Sequence, residues 1–196
     1  MTQQEYFNKH SSAWKENQAF ALWLVEKVQP DVTLDLGVDW GHSTMSWAQP
    51  GIGSVYGVDI WTPNSYSTVG HNYDEFVSSF KEFYKQGLNN ITLIRGDHKD
   101  VESTWDKEVD IMHFDILHDY VGVKKEYELW SKHLKEGGVT LFHDLISFSD
   151  GVGKFFREDL KLPRVEFNNQ YGLGVMTVNE KLLSDIESEF DVTRIQ

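Results

Sequence analysis

The chain of 196 residues has no cysteine, and it therefore forms no disulfide bond, offers no thiolate metal ligand and uses no cysteine nucleophile. It also lacks an apolar run long enough to cross a membrane. Its first ten residues are polar and lack the apolar centre of a secretory signal. These absences lead us to expect a cytoplasmic protein that does not associate with membranes.

Basic residues are few relative to acidic ones. The chain has 18 lysines and arginines against 31 aspartates and glutamates, which gives a formal net charge of −13. Such a surface repels phosphate backbones and argues against binding to nucleic acids. The length suits one α/β domain with a sizeable core. We expect a single domain over residues 1–196, in which residues 1–17 form an N-terminal extension.

Short apolar runs alternate with segments of helical periodicity along the chain. The predicted strands are 32–36, 55–59, 91–95, 109–114 and 139–142, with a closing hairpin at 165–167 and 175–178. The predicted helices are 18–28, 43–48, 73–85, 99–104, 121–133, 152–160 and 180–189. This alternation predicts a mostly parallel sheet with helices on both faces, and ligands on such sheets bind beyond the carboxyl ends of the strands.

The most informative stretch is residues 32–43, Val-Thr-Leu-Asp-Leu-Gly-Val-Asp-Trp-Gly-His-Ser. It has the form of a cofactor loop at the end of a first strand. Gly37 permits a sharp turn, Gly41 permits close approach of the backbone, and Ser43 or Thr44 is placed to cap the next helix. Ser43 is also among the predicted cofactor-binding residues. The spacing lacks the third glycine of the dinucleotide fingerprint. Asp35 stands at the predicted mouth instead, and an acid there suits a cationic ligand.

Every predicted core strand ends in an acid. These acids are Asp35, Asp59, Asp97, Asp115 and Asp144. Together they predict an acidic crevice for a ligand with positive charge and sugar hydroxyls. Asp59 is placed to accept both ribose hydroxyls. Trp61 could cover one face of an adenine, although a core or lid position suits it equally. Asp97 is placed to accept from the adenine amino group, with an Asx turn as the alternative, and His98 to touch the adenine edge.

Five motifs carry a family resemblance when they are taken in order. They are residues 34–43, Gly-Val-Asp-Ile-Trp at 57–61, Arg-Gly-Asp-His at 95–98, His-Phe-Asp-Ile-Leu-His-Asp-Tyr-x-Gly-Val at 113–123 and Leu-Lys-Glu-Gly-Gly-Val-Thr-Leu-Phe-His-Asp at 134–144. The combination resembles the class I S-adenosylmethionine-dependent methyltransferases, and within them the small-molecule O-methyltransferase branch.

The resemblance implies a Rossmann-like, seven-stranded sheet whose last two strands form the closing hairpin. It implies that Asp35, Gly37 and Gly41 shape the methionine side of the cofactor pocket, with Asp59 on the ribose and Asp97 near the adenine. Two departures stand out. Ile116 replaces the family's glycine after the fourth-strand acid, and the pair Asp39-Trp40 is bulkier than usual between the two glycines.

Residues after the fourth and fifth strands are the candidates for the acceptor side. They are Asp115, His118, Asp119, His143 and Asp144. In one hypothesis Asp115 and Asp144, with His143, hold a divalent ion such as Mg²⁺ that lowers the pKa of the acceptor hydroxyl, as in the catechol-type enzymes that the chain resembles. In the other, no metal binds and His118 or His143 is the base, with Asp115 among the catalytic residues and also near the cofactor.

The sequence therefore predicts an S-adenosylmethionine-dependent methyltransferase that O-methylates a small molecule with a sugar or phenol-like hydroxyl. One alternative is a nicotinamide-dependent oxidoreductase on a Rossmann sheet, which the missing third glycine and the absent Ser-Tyr-Lys relay disfavour. Another is a non-catalytic S-adenosylmethionine-binding module, which Ile116 and Asp39-Trp40 keep open. A homodimer is compatible with the sequence. The loop at residues 62–72, with Asn64 and Tyr66, is a candidate lid over the pocket.

Overall fold

The computed structural model describes residues 3–62 and 73–195, without the side chains of Gln3 and Gln4. All of the predicted lid loop except Thr62 lies outside the described residues, including Asn64 and Tyr66. The chain divides into two compact units, Met1–Trp105 and Asp106–Gln196. Among the described helices, none has the length and apolar character that a membrane span requires.

The described part of the first unit contains five helices and three strands. The helices are α1 (Gln3–Lys9), α2 (Gln18–Val28), α3 (His42–Ala48), α4 (Tyr73–Lys85) and α5 (His98–Glu102), with a 3-10 turn at Ala13–Asn17. The strands are β1 (Val32–Leu36), β2 (Ser54–Asp59) and β3 (Ile91–Arg95). They lie in the order β3-β2-β1 and all pair in parallel, so that Asp35 is level with Gly57 and Asp59 with Arg95.

Helix α4 shows how the sequence selects an element in this unit. Phe76, Phe80 and Phe83 recur at helical spacing and are all buried, whereas acids occupy the first turn of the helix. These rings pack in one aromatic core with residues from α1 and from the segment after β1. The buried members of that core are Tyr6, Val38, Trp40, Met45, Trp61, Phe76, Phe80 and Phe83. The segment that the sequence marks as an N-terminal extension thus places Tyr6 in the core of the unit.

Over residues 106–195, the second unit contains two helices and five strands. The helices are α6 (Tyr120–Trp130) and α7 (Glu180–Glu189), with a 3-10 turn at Ser131–His133 and π-helical turns at Ser149–Gly153 and Phe155–Asp159. The strands are β4 (Val109–Phe114), β5 (Leu134–His143), β6 (Arg164–Phe167), β7 (Leu173–Met176) and β8 (Val192–Ile195). Their order is β4-β5-β7-β6-β8, where β4 and β5 are parallel and the remaining pairs antiparallel.

The predicted α/β class, with parallel core strands and a closing antiparallel hairpin, is confirmed. The predicted count of seven strands is wrong, because β8 pairs with β6 as an eighth strand through Phe167 and Val192. Strand β8 has only four residues and includes Thr193 and Arg194, so it carries no apolar run that a sequence reading would detect. The extent of a single domain over residues 1–196 stays a prediction.

Candidate functional site

The segment that joins β1 to α3, residues Gly37–Gly41, is called the glycine loop here. Gly37 has φ 99° and Gly41 φ 78°, so both adopt the left-handed conformations for which the sequence supplies glycine. The backbone of Gly41 approaches a core ring closely. An alanine methyl at this position would lie 2.6 Å from Cε2 of Phe80. The tight packing at Gly41 is therefore against α4.

Asp35, which the sequence places at the mouth of the pocket, is fully buried. Its Oδ2 accepts hydrogen bonds from the Ser43 hydroxyl at 2.8 Å and from the Thr44 hydroxyl. The prediction that Ser43 or Thr44 caps α3 is wrong, because the residue before the helix is Gly41 and the buried carboxylate takes both hydroxyl donors. Asp35 thus fastens the first turn of α3 to β1, and its contact with a cofactor stays a prediction.

Asp59 anchors the glycine loop. Its Oδ2 accepts backbone N–H groups from Val38 at 3.0 Å and Asp39 at 2.9 Å, and its Oδ1 accepts the N–H of Trp61 at 2.9 Å. Burial raises the pKa of Asp59, and the three N–H donors oppose that rise. Each carboxylate oxygen can accept two hydrogen bonds, so Oδ1 retains capacity for a ribose hydroxyl.

The ring of Trp61 lies in the core of the first unit. Trp61 is fully buried, its Nε1 donates to the carbonyl of Asp39 at 3.1 Å, and its ring centroid lies 5.1 Å from that of Phe76. The sequence left a core position, a lid position and an adenine contact open for Trp61, and the structure places the ring in the core. Covering of an adenine face by Trp61 has no support in this arrangement.

The two residues predicted near the adenine lie at the start of α5. Asp97 caps this helix by accepting the N–H of Lys99 at 2.9 Å, which is the Asx-type alternative. His98 is buried, and desolvation lowers its pKa. Contacts of Asp97 and His98 with an adenine stay predictions, as does the crevice shared by all five strand-end acids.

In the second unit, four side chains form what we call the acid–histidine cluster: Asp115, His118, His143 and Asp144. His118 Nε2 lies 3.1 Å from Asp115 Oδ1 and 3.6 Å from Asp144 Oδ2. His143 Nδ1 lies 3.3 Å from Asp115 Oδ2 and 3.5 Å from Asp144 Oδ1. Each histidine therefore faces both carboxylates. Parallel pairing of β4 with β5 produces this proximity, because Asp115 and Asp144 directly follow those strands.

Mutual pairing sets the charges in the acid–histidine cluster. Burial opposes ionisation of Asp115, but the charge of His143 and the hydrogen bond from His118 hold its pKa well below the usual range. Burial also opposes protonation of His118, yet the hydrogen bond to Asp115 and the charges of Asp115 and Asp144 keep its pKa above the ordinary value. Burial raises the pKa of Asp144. The cluster thus holds an ionised Asp115 beside an imidazole that readily takes up a proton.

The cluster also fits a divalent cation. Asp115, His118 and Asp144 each offer one ligand atom, and these atoms lie within 4.8 Å of one another. This group contains His118, whereas the sequence names His143, which is buried; metal binding by His143 stays a prediction. Carboxylates suit Mg²⁺, whereas an imidazole in the set suits a transition metal better.

Two further residues, His113 and Asp119, lie near the cluster in sequence but have other positions in the structure. His113 is fully buried in β4, with its ring 6.2 Å from that of His143. Asp119 is exposed and caps α6 by accepting the N–H of Gly122 at 2.9 Å. Asp119 is therefore a helix cap and lies outside the acid–histidine cluster.

An apolar surface that sequence reasoning missed adjoins the cluster. The ring of Phe148 stacks on His118 with centroids 4.5 Å apart and an interplanar angle of 24°. Phe148 is 41% exposed and Ile146, two residues earlier, is 46% exposed. The signal was available in the sequence, since Leu-Ile-Ser-Phe at 145–148 is unusually apolar for a segment that follows a strand end.

Comparison with known proteins adds to this geometry. A family model described as "Methyltransferase domain" matches residues 34–145. An uncharacterized protein of Sinorhizobium fredii, y4gI, is 28% identical over 185 residues, which cover 90% of this chain and 20% of the relative. The chain thus spans about a fifth of the length of that relative.

Several solved structures share the fold. TomG of Streptomyces achromogenes, an O-methyltransferase in complex with S-adenosylmethionine, superposes with a TM-score of 0.65 at 13% identity over 89% of this chain and 86% of its own. An O-methyltransferase of Bacillus cereus in complex with S-adenosylhomocysteine gives 0.64 at 15% identity, with 89% and 87% covered. The methyltransferase PaMTH1 of Podospora anserina, bound to S-adenosylhomocysteine, gives 0.60 at 15% identity, with 87% and 80% covered. At these identities the likeness establishes the fold.

Proposed function

The chain belongs to the methyltransferase domain family, and we propose that it transfers the methyl group of S-adenosylmethionine to a hydroxyl oxygen of a small molecule. The observation that carries this proposal is the extent of the family match. It runs from Leu34 in β1 to Leu145, and so includes the glycine loop, Asp59 and the whole acid–histidine cluster. The resemblance read from the sequence motifs is confirmed at the level of the family.

The cofactor side of the proposal rests on the first unit. The glycine loop lacks the third glycine of a dinucleotide site, and Asp59 keeps an acceptor for a ribose hydroxyl. Two of the structural neighbours, TomG and the Bacillus cereus enzyme, are described with S-adenosylmethionine or its demethylated product. These features favour S-adenosylmethionine over a nicotinamide cofactor.

The acceptor side of the proposal rests on the second unit. Methyl transfer forms an O–CH₃ bond as the S–CH₃ bond breaks, the sulfur keeps the electron pair, and the hydroxyl proton passes to a base. His118 and His143 are the candidate bases, and the paired carboxylates orient both rings. A divalent ion held by Asp115, His118 and Asp144 would supply further polarisation of the acceptor hydroxyl, which leaves His143 as the base in that case.

The surface beside the cluster favours a phenol-like acceptor over a sugar. Phe148 presents an exposed aromatic side chain in direct contact with His118, and Ile146 adds exposed aliphatic surface. A planar, apolar acceptor would bury this surface when its hydroxyl reaches the histidines, whereas a polyhydroxylated ring would lose hydration there without replacing it.

Calorimetric titration with S-adenosylhomocysteine and with NAD tests the cofactor assignment. We expect binding of the former and none of the latter. Binding of NAD alone would replace the proposal with an oxidoreductase.

Turnover is then measured with labelled methyl donor on a panel that contains catechol and a methyl glycoside. Cofactor binding without transfer to either acceptor would favour a non-catalytic binding module.

Metal dependence is tested in the same assay by adding a chelator. Loss of turnover that Mg²⁺ or Mn²⁺ restores would support the cation, and unchanged turnover would remove it from the proposal.

A cytoplasmic location and association into a homodimer belong to the proposal as well. Size-exclusion chromatography with light scattering measures the oligomeric state directly.

A further inference from the structure

Helix α1 reaches the glycine loop through a buried tyrosine. The hydroxyl of Tyr6 donates a hydrogen bond of 3.0 Å to the carbonyl oxygen of Trp40, the loop residue just before Gly41. Tyr6 is fully buried, and burial raises its pKa far above the usual value, so the hydroxyl keeps the proton that it donates. The hydrogen bond is therefore a fixed link between the two segments.

Ring contacts reinforce this link. His10 stacks on the indole of Trp40, with centroids 3.7 Å apart and an interplanar angle of 20°. Phe7 stacks on His42, the first residue of α3, at 4.4 Å and 28°. Tyr6 and His10 are four residues apart and so lie on one side of the segment. The N-terminal segment consequently contacts the residues on both sides of Gly41.

The same segment is tied to α4. Lys9 forms an ion pair with Glu75, and His10 Nε2 lies 3.9 Å from Glu75 Oε1. The Tyr6 ring meets Phe83 edge to face at 5.2 Å. These contacts span the length of α4, and they give α1 a support that does not depend on the glycine loop.

The glycine loop has a conformation that needs such support. Gly37, Asp39 and Gly41 all have positive φ, and Asp39 is not a glycine, so the loop stores backbone strain. On one side, Asp59 holds the N–H groups of Val38 and Asp39. On the other side, Tyr6 of α1 donates to the Trp40 carbonyl and His10 stacks on the Trp40 indole.

We propose that Tyr6 is a positioning residue for the cofactor loop, and that the segment Gln3–His10 clamps Trp40 so that the glycine loop is preformed for S-adenosylmethionine. This inference rests on the proposed function. The inference also accounts for the bulky Asp39-Trp40 pair, because the segment Gln3–His10 packs against the side chain of Trp40. The N-terminal segment then belongs to the cofactor site.

The test compares Tyr6→Phe, which removes only the hydroxyl, with Tyr84→Phe, the same change at an exposed tyrosine of α4. We expect Tyr6→Phe to weaken S-adenosylhomocysteine binding by about three- to tenfold, the range that one lost hydrogen bond produces. The KM for S-adenosylmethionine should rise by the same factor while kcat at saturation changes less than about twofold. The control should match the wild type in all three quantities.

Hydrogen exchange of residues 36–44 provides a second measurement that needs no ligand. We expect faster exchange in Tyr6→Phe and in His10→Ala, with the amides of β4 and β5 unchanged. The second variant serves if the first does not fold. Unchanged loop exchange in the folded variants, or unchanged affinity in Tyr6→Phe, would overturn the clamp. Failure of the wild type to bind S-adenosylhomocysteine would instead overturn the proposed function, and loop exchange would still decide the clamp.

Discussion

A single carboxylate, that of Asp59, anchors the backbone and is also the proposed ribose contact. It accepts three N–H groups from residues on either side of the site, and its position at the end of β2 is the one expected for a ribose contact. A residue with two tasks cannot be tested by ligand affinity alone, because its removal also changes the loop that the ligand meets. The measurements must therefore separate stability from binding.

We expect Asp59→Ala to lower the free energy of unfolding by about 2–4 kcal/mol, because it leaves three N–H groups without their acceptor. Cofactor affinity should fall by a further 1–3 kcal/mol, roughly the value of a deleted charged hydrogen bond. Denaturant unfolding and calorimetry measure the two effects. Asp97→Ala is the matched control, since Asp97 caps α5 through one N–H and should cost only about 0.5–2 kcal/mol of stability. Equal losses of stability in both variants would contradict the anchoring role of Asp59.

Gly41 combines a left-handed backbone with a crowded side. Gly41→Ala must accept φ 78° and place a methyl 2.6 Å from the Phe80 ring. We expect a loss of about 2–4 kcal/mol in the free energy of unfolding. Gly51→Ala isolates the backbone contribution, because Gly51 has φ 70° with open space around it and should lose only about 1 kcal/mol. Two equal values in denaturant unfolding would show that packing against Phe80 is unimportant.

We expect His42 to make the free energy of unfolding depend on pH. Burial, reinforced by the charges of His10 and Lys15 and opposed by a hydrogen bond with the His10 backbone, lowers its pKa from 6.5 to about 4. Above pH 6.5 the imidazole is neutral in both states and its full contribution to stability is present. As the pH falls towards 4 only the unfolded state takes up the proton, so stability is lost, by up to about 3 kcal/mol.

The variant His42→Gln should therefore show a flatter decline in the free energy of unfolding between pH 7 and pH 4 than the wild type does. Urea unfolding at several pH values measures the slope. His133→Gln in the second unit is the control and should retain the steeper slope. A slope in His42→Gln that equals that of the wild type would assign the acid sensitivity to other groups.

At the scale of the element, α3 is held to β1 because the hydroxyls of Ser43 and Thr44 donate hydrogen bonds to the buried carboxylate of Asp35. Thr44→Val removes one of the two hydroxyl donors described for Asp35 and should lower the free energy of unfolding by about 1.5–3 kcal/mol. Thr140→Val is a matched control in β5. Its hydroxyl is buried without a hydrogen-bond partner in the described part of the chain, so removal should be neutral or stabilising. Equal effects of the two substitutions on unfolding would mean that the contact with Asp35 contributes little.

The elements that the sequence predicted well are those with strong local signals. Helix α4 follows from its phenylalanine spacing and extends over the predicted residues 73–85. Strand β5 begins at Leu134, five residues before its predicted start, because Gly137-Gly138 reads as a helix terminator and yet lies within the strand. The predicted helix at 152–160 instead falls in two π-helical turns, Ser149–Gly153 and Phe155–Asp159. The Val152 N–H there donates to the carbonyl of His118 at 2.9 Å, a partner distant in sequence that local periodicity does not reveal.

The candidate site likewise has local features that the sequence predicted and long-range contacts that it did not. The left-handed glycines of the loop could be predicted because their conformations are local. The anchoring by Asp59 could not be predicted, and the sequence could not choose the core position of Trp61 over its alternatives. Both depend on contacts that span about 20 residues, such as that between Trp61 and the Asp39 carbonyl. The sequence also could not predict that His118 joins Asp115 and Asp144 in the group that could hold a metal ion. The position of a residue near a strand end does not define the direction of its side chain.

At the scale of the whole molecule, the two units carry different parts of the proposed chemistry. Cofactor binding should protect residues 36–44 and 57–61 from hydrogen exchange, whereas Mg²⁺ or Mn²⁺ should protect residues 113–119 and 143–148. We expect each effect in the absence of the other ligand. At a concentration about 100 times its dissociation constant, each ligand should also stabilise the protein by about 2.7 kcal/mol. Protection by both ligands of the same residues would contradict the division.

Asp144 meets two requirements that few amino acids satisfy together. Its φ of 61° is a conformation that glycine, asparagine and aspartate adopt most readily. Of these three, only aspartate presents a negative charge to His118 and His143. In a saturation library at this codon, a first selection for soluble expression should therefore retain glycine, asparagine and aspartate, and a second selection for methyl transfer should retain aspartate alone.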